Sequence, residues 1–163
     1  MEKKMTFIEK LCATFRLRTF GFFKIPLIFY VSPCIEEFNN ERIVVRIPLR
    51  RHTRNHLKSM YFGVLATGAD CAGGLMAMRL IQESGQKVSL LFKDFKAEFL
   101  KRAEGDVLFT CEDGSAIRAL VDKALKSDDR VNLTVHVAAT VPSLLGSEPV
   151  ALFELTLSLK KKS

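Results

Sequence analysis

The chain has 163 residues, 48% of them hydrophobic and 26% charged, with a formal net charge of +7. That size fits one domain with at most a small appendage, and the apolar share excludes extensive disorder or a collagen-like chain. The charge is unevenly placed: residues 1–60 hold twelve Lys/Arg against five Asp/Glu, whereas residues 61–163 hold thirteen of each. The whole basic excess lies in the first 60 residues.

Residues 4–19 read as a short amphipathic helix, with Phe7, Ile8, Leu11, Phe15 and Leu17 interleaved with Lys10, Arg16 and Arg18. Such a basic, apolar helix suits weak contact with an anionic membrane surface. Residues 20–35 are aromatic and poorly periodic, punctuated by Pro26 and Pro33, and read as a packed connector rather than a regular element. Lys24 and Pro26 interrupt the apolar run from Phe20 to Val31 and no small-residue cleavage site follows it, so a secretory signal is not expected there. The first clear strand runs from about 41 to 51, where Ile43, Val45, Ile47 and Leu49 alternate with a face bearing Arg42, Arg46 and Arg50. Pro48 there argues for an edge strand or a strand end.

A long apolar helix is expected from about 60 to 82. One stripe of it is small: Gly63, Ala66, Thr67, Asp70, Gly73, Gly74 and Ala77. From Ser59 to Met78 the sole charged side chain is Asp70, and the stretch is long enough to cross a bilayer. Its glycines and the central carboxylate favour a buried core helix instead. Two out-of-phase alternations, Val88/Leu90/Phe92 and Phe95/Ala97/Phe99, make a strand over 88–101 with a bulge near Lys93–Asp94. A strand over 106–111, an amphipathic helix opening at Asp113-Gly114-Ser115, a strand over 130–141, a loop over 142–149 and a strand over 151–159 follow. Helix, strand, long buried helix and further strands make an α+β domain in which a curved antiparallel sheet clasps a central helix. The division expected is 1–35 for the N-terminal helix and connector, and 36–163 for the domain itself.

Several chemistries fall away. Cys12, Cys34, Cys71 and Cys111 form no close pair, and only His52, His56 and His136 could supplement them, so no metal centre is expected. Free thiols fit a reducing cytoplasm, the location expected here. The basic bias comes without a helix-turn-helix, zinc finger or aromatic RNA-binding pattern, so nucleic acid is not an expected partner.

The informative stretch runs from Asn55 to Gly63 and on to Asp70. It resembles hotdog-fold thioesterases of the phenylacetyl-CoA type, and more closely an uncharacterised thioesterase-like branch of that superfamily. The family carries an Asn, then six positions later a His-Gly-Gly or variant opening the central helix, then an acid nine positions after the His. Asn55 matches the Asn, Tyr61-Phe62-Gly63 stands where His-Gly-Gly would be, and Asp70 matches the acid. Val44 to Arg51, leading into Arg54-Asn55-His56, resembles the uncharacterised branch especially. The resemblance covers about residues 25 to 160 and implies a hotdog fold and an acyl-CoA thioesterase with a site shared across a dimer.

Physical chemistry gives those residues compatible work. Thioester hydrolysis needs donors for the carbonyl oxygen and an attacking water or carboxylate. Phe62 and Gly63 would sit at a helix N-terminus with free N–H groups. Asn55 could hold the carbonyl or the water, and Asp70 would be general base or nucleophile. Tyr61, Phe62, Thr67 and Gly74 would line the substrate pocket, and Arg50, Arg51 and Arg54 would cradle the phosphates of coenzyme A, which enters as part of the substrate and not as a cofactor. Roughly 13 Å of helix separates Tyr61 from Asp70, so two antiparallel helices in a homodimer, or a dimer of dimers, suit the chemistry better than one chain. Plainer roles exist for each residue: Asp70 as a buried cap, Asn55 as a turn residue, Tyr61 as core, His56 as loop, His136 as a hydrogen-bonded strand residue, and the arginines at 42, 46, 50, 51 and 54 as a solvated face. The other reading of the whole chain is a non-catalytic acyl-CoA or lipid-binding hotdog module, since Tyr61-Phe62 departs from the usual His-Gly.

Overall fold

A computed structural model describes residues 5–162, so Lys4, the first residue of the expected helix, lies outside the described residues. Helix α1 spans Phe7–Lys24 and opens on a capping box: Glu9 N donates to Thr6 Oγ1 at 3.3 Å, and Thr6 N donates to the Glu9 carboxylate at 2.6 Å. It runs five residues past its expected end. A second helix, α2, follows at Pro26–Tyr30. The stretch 20–35 is thus largely helical, which corrects the connector expected there. Its sequence is apolar on nearly every side, so no 3.6-residue period stands out. Pro26 sits at the first position of α2, where its missing N–H costs nothing. Gly21 lets the pair fold tightly, because a side chain there would meet Phe29 N at 2.7 Å.

Strand β1, Cys34–Phe38, was not anticipated, and a register shift between Ile35 and Glu37 blurs its alternation. Thr14 Oγ1 accepts from Ile35 N at 2.9 Å, fastening α1 to this strand. Strand β2 covers only Ile43–Ile47. It lies between β1 and the strand at Val107–Cys111, so Pro48 marks its end and not an edge. The long helix α3 spans Phe62–Ser84 and stops at Gly85, whose φ of 67° is left-handed. Strand β3, Val88–Phe99, carries its register shift between Phe92 and Phe95, at the expected bulge. Strand β4 is Val107–Cys111 and helix α4 is Gly114–Lys126, which buries Ile117, Leu120, Val121 and Ala124. Strand β5 is Val131–Thr140, the expected loop after it holds one turn of helix, α5 at Pro142–Leu145, and β6 is Pro149–Lys161.

The six strands form one antiparallel sheet in the order β1-β2-β4-β5-β6-β3, wrapped on α3. The small residues of α3 admit side chains of that sheet. A Cβ at Gly68 would overlap the Phe109 ring, and one at Gly73 would lie 3.3 Å from Val135 Cγ2. Burial offsets the roughly 1 kcal/mol that each helical glycine costs. The helix is long and apolar enough to cross a membrane, yet 72% of its apolar window is buried inside the fold. It is the core helix of the domain.

Candidate active site

Asp70 stands in the third turn of α3, half-buried between the buried Ala69 and Cys71. Among the described residues nothing donates a hydrogen bond to its carboxylate and no cation pairs with it; loss of water alone pushes its pKa up to about 6. One turn on, Gly74 keeps the space beside it open: a Cβ there would lie 3.9 Å from Asp70 Oδ1 and 3.2 Å from the Phe92 ring. The carboxylate borders an apolar cavity of about 390 Å³ whose walls include Phe20, Ile25 and Ile28 of the α1–α2 hairpin, Leu75 of α3 and Phe92 of β3. The neighbouring Cys71 thiol is raised by burial and stays protonated, so it is no rival nucleophile.

This placement carries a stability signature. Asp70 binds its proton more tightly folded than unfolded, since its pKa rises from 3.8 to about 6. Its contribution is therefore greatest below pH 4 and is lost as pH rises through about 6. Asp70→Asn removes the cost of burying the charge. Urea unfolding is expected to show the variant about 3 kcal/mol more stable than wild type at pH 7.5, with the difference vanishing near pH 4.

The other elements of the expected site gather at the N-terminal start of α3, two turns before Asp70. Tyr61 is the N-cap residue, and its carbonyl accepts from Val64 N and Leu65 N; Phe62 N and Gly63 N lie ahead of these, in the first turn. The loop that delivers them is firmly built. Thr53 is fully buried, with its hydroxyl donating to Pro48 O and accepting from Arg50 N, while Tyr61 N donates to Thr53 O. Asn55 closes its own turn: Oδ1 accepts from Leu57 N at 2.9 Å and Ser59 N at 3.2 Å, and Nδ2 donates to Ser59 Oγ. Thr67 is buried and donates to Gly63 O at 2.8 Å. Tyr61 and Phe62 are exposed, their rings 4.8 Å apart, so Tyr61 is not a core residue of this chain.

The arginines divide. Arg42 pairs with Glu37 and Glu112, and Arg46 with Glu36 and Asp106, which makes both of them part of an ion-paired sheet surface. Arg50, Arg51 and Arg54 are exposed in the loop before α3 and have no acidic partner among the described residues. His56 is an exposed loop residue. His136 is hydrogen-bonded, its N donating to Asp113 Oδ2 at 2.7 Å, on a wider concavity of about 780 Å³ over the strands. That concavity contains neither Asp70 nor the start of α3.

One chain does not unite the two halves of the site. The Asp70 cavity is lined by none of Asn55, Tyr61, Phe62 and Gly63, and seven residues of helix put about 10 Å between Gly63 and Asp70. Sequence reasoning missed the hairpin as a wall of the cavity. Pro26 followed by four apolar residues was the available signal, a helix start rather than a break.

Residues 15–144 match the family described as "Domain of unknown function (DUF4442)". The chain belongs to that family. No curated protein matches it. Among solved structures, it resembles a protein of unknown function from Chlorobaculum tepidum TLS, with 14% identity and a TM-score of 0.79 over 94% of this chain and 97% of that one. It also resembles PA5026 of Pseudomonas aeruginosa, called a probable thioesterase, at 23% identity and TM-score 0.72, covering 91% and 96% of the two chains. Thioesterase HI1161 of Haemophilus influenzae aligns at 15% identity and TM-score 0.62 over 83% and 82%. This DUF4442 domain has the hotdog fold, extended by an N-terminal helical hairpin.

Proposed function

We propose that this DUF4442 protein hydrolyses an acyl-CoA or related thioester at a site shared between the subunits of a homodimer. The observation that carries the reading is Asp70: a carboxylate with no partner among the described residues, ionised at neutral pH, in the wall of an apolar cavity. A stability role would have supplied it with donors. Asp70 takes a proton from water as the water oxygen attacks the thioester carbonyl. Phe62 N and Gly63 N of the second subunit receive the developing oxyanion. The carbon–sulfur bond then breaks, and the thiolate takes back the proton. Arg50, Arg51 and Arg54 precede the same helix end and suit the phosphates of coenzyme A, while the apolar cavity suits the acyl chain.

Strand β3 supports a dimer. It is a twelve-residue strand at the sheet edge with exposed Leu91, Phe95 and Phe99, a surface that monomers rarely leave open. Pairing across a two-fold axis at this edge would lay two α3 helices antiparallel.

A panel of acyl-CoA substrates with detection of free thiol tests the function. Turnover is expected, with kcat/KM rising between pH 5 and 7 as Asp70 loses its proton at about 6. Tight acyl-CoA binding with no thiol release would replace this reading by that of a binding module, which the Tyr61-Phe62 helix start favours.

A further inference from the structure

The α1–α2 hairpin exposes an apolar surface that the domain does not use. Phe7, Leu11, Phe15 and Phe22 recur at spacings of four, four and seven residues, with Ile8 beside them, so they share one side of α1. Leu17 and Gly21, the buried positions, fall on a different side. Phe7 is 77% exposed, Phe15 71% and Phe23 73%, and α2 adds the exposed Leu27, Phe29 and Tyr30. Edge-to-face contacts of Phe22 with Phe23 and Phe29 join the two helices into one aromatic patch. Patches of this size on a soluble domain mark a surface with a partner.

Charge identifies the partner. Tyr30 packs on His52 at 5.1 Å, which brings the loop bearing Arg50, Arg51 and Arg54 alongside the hairpin. An aromatic surface bordered by unpaired cations complements anionic lipid headgroups over acyl chains. Two copies of the same face would bring like charges together.

We propose that the α1–α2 hairpin docks this protein on an anionic membrane surface through its exposed phenylalanines. The other side of the hairpin supplies Phe20, Ile25 and Ile28 to the Asp70 cavity, so a docked molecule holds that cavity one helix layer from the lipid. Docking is independent of turnover, and its test needs none. The full chain is floated with phosphatidylcholine vesicles, with and without phosphatidylglycerol, across a salt series. Wild type is expected to float with the anionic vesicles only and to be released by salt. Phe15→Ser/Phe22→Ser, whose sites are exposed, is expected to keep the wild-type circular dichroism and melting curve and to float at least about tenfold less. Absence of wild-type flotation would overturn the proposal, as would a double variant that floats like wild type. Loss of a lipid-free oligomer in the double variant, with wild type failing to bind vesicles, would show instead that the patch joins copies of the chain.

Discussion

Asp70→Asn is expected to lower kcat/KM for the best acyl thioester by about 10²–10⁴-fold, the range for losing a positioned general base, and by more if the carboxylate is itself the nucleophile. The amide keeps the size of the side chain and the opening beside Gly74 but cannot take a proton from water. Substrate affinity should change little, because the apolar cavity and the exposed arginines are untouched. Thiol release read alongside equilibrium binding separates the two effects. The same substitution is expected to stabilise the fold at neutral pH, so urea unfolding of the variant shows whether lost turnover is a loss of fold. Activity lost together with a raised unfolding midpoint is the pattern of a functional carboxylate; both falling together would mark a structural one.

Phe109→Ala is expected to destabilise the domain by about 3–5 kcal/mol in urea unfolding, the usual cost of emptying a buried aromatic site. Phe109 is fully buried on β4, lies against Phe153 with ring centroids 6.4 Å apart, and occupies the space above Gly68 of α3. The converse change, Gly68→Ala, forces a methyl into that ring and is expected to cost about 1–3 kcal/mol despite the better helix propensity of alanine. Gly68→Ala with Phe109→Leu should cost less than the sum of the two single changes, since the smaller side chain yields room for the methyl. Strict additivity in that cycle would show that the glycine is not there to admit the ring.

The central helix, the bulge at Lys93–Asp94 and the acid at Asp70 were legible because each breaks a regular pattern in a way only one geometry satisfies. A phase change in a two-residue alternation needs one extra residue, and a lone carboxylate in an apolar helix needs a reason. The α1–α2 hairpin was not legible, since residues 20–30 are apolar on the side that packs and on the side that does not. Strand β1 was hidden by its register shift. Asn55 illustrates a different limit: its spacing from Tyr61 was visible, but that its amide bonds Leu57 and Ser59 within its own turn was not. The arginines show the same limit, because whether each had an acid nearby depended on Glu36 and Asp106, which β1 and the loop before β4 bring to Arg46. Charge alone could not separate Arg46 from Arg50.

A heterodimer of two differently tagged subunits, one carrying Asp70→Asn and the other Gly63→Val, tests the shared site most directly. Each homodimer should be inactive. If Asp70 of one subunit works with the α3 start of the other, the purified heterodimer keeps one intact site and should show about half of wild-type turnover. A heterodimer as inactive as its parents would place Asp70 and Gly63 in the same subunit's site and contradict the shared arrangement.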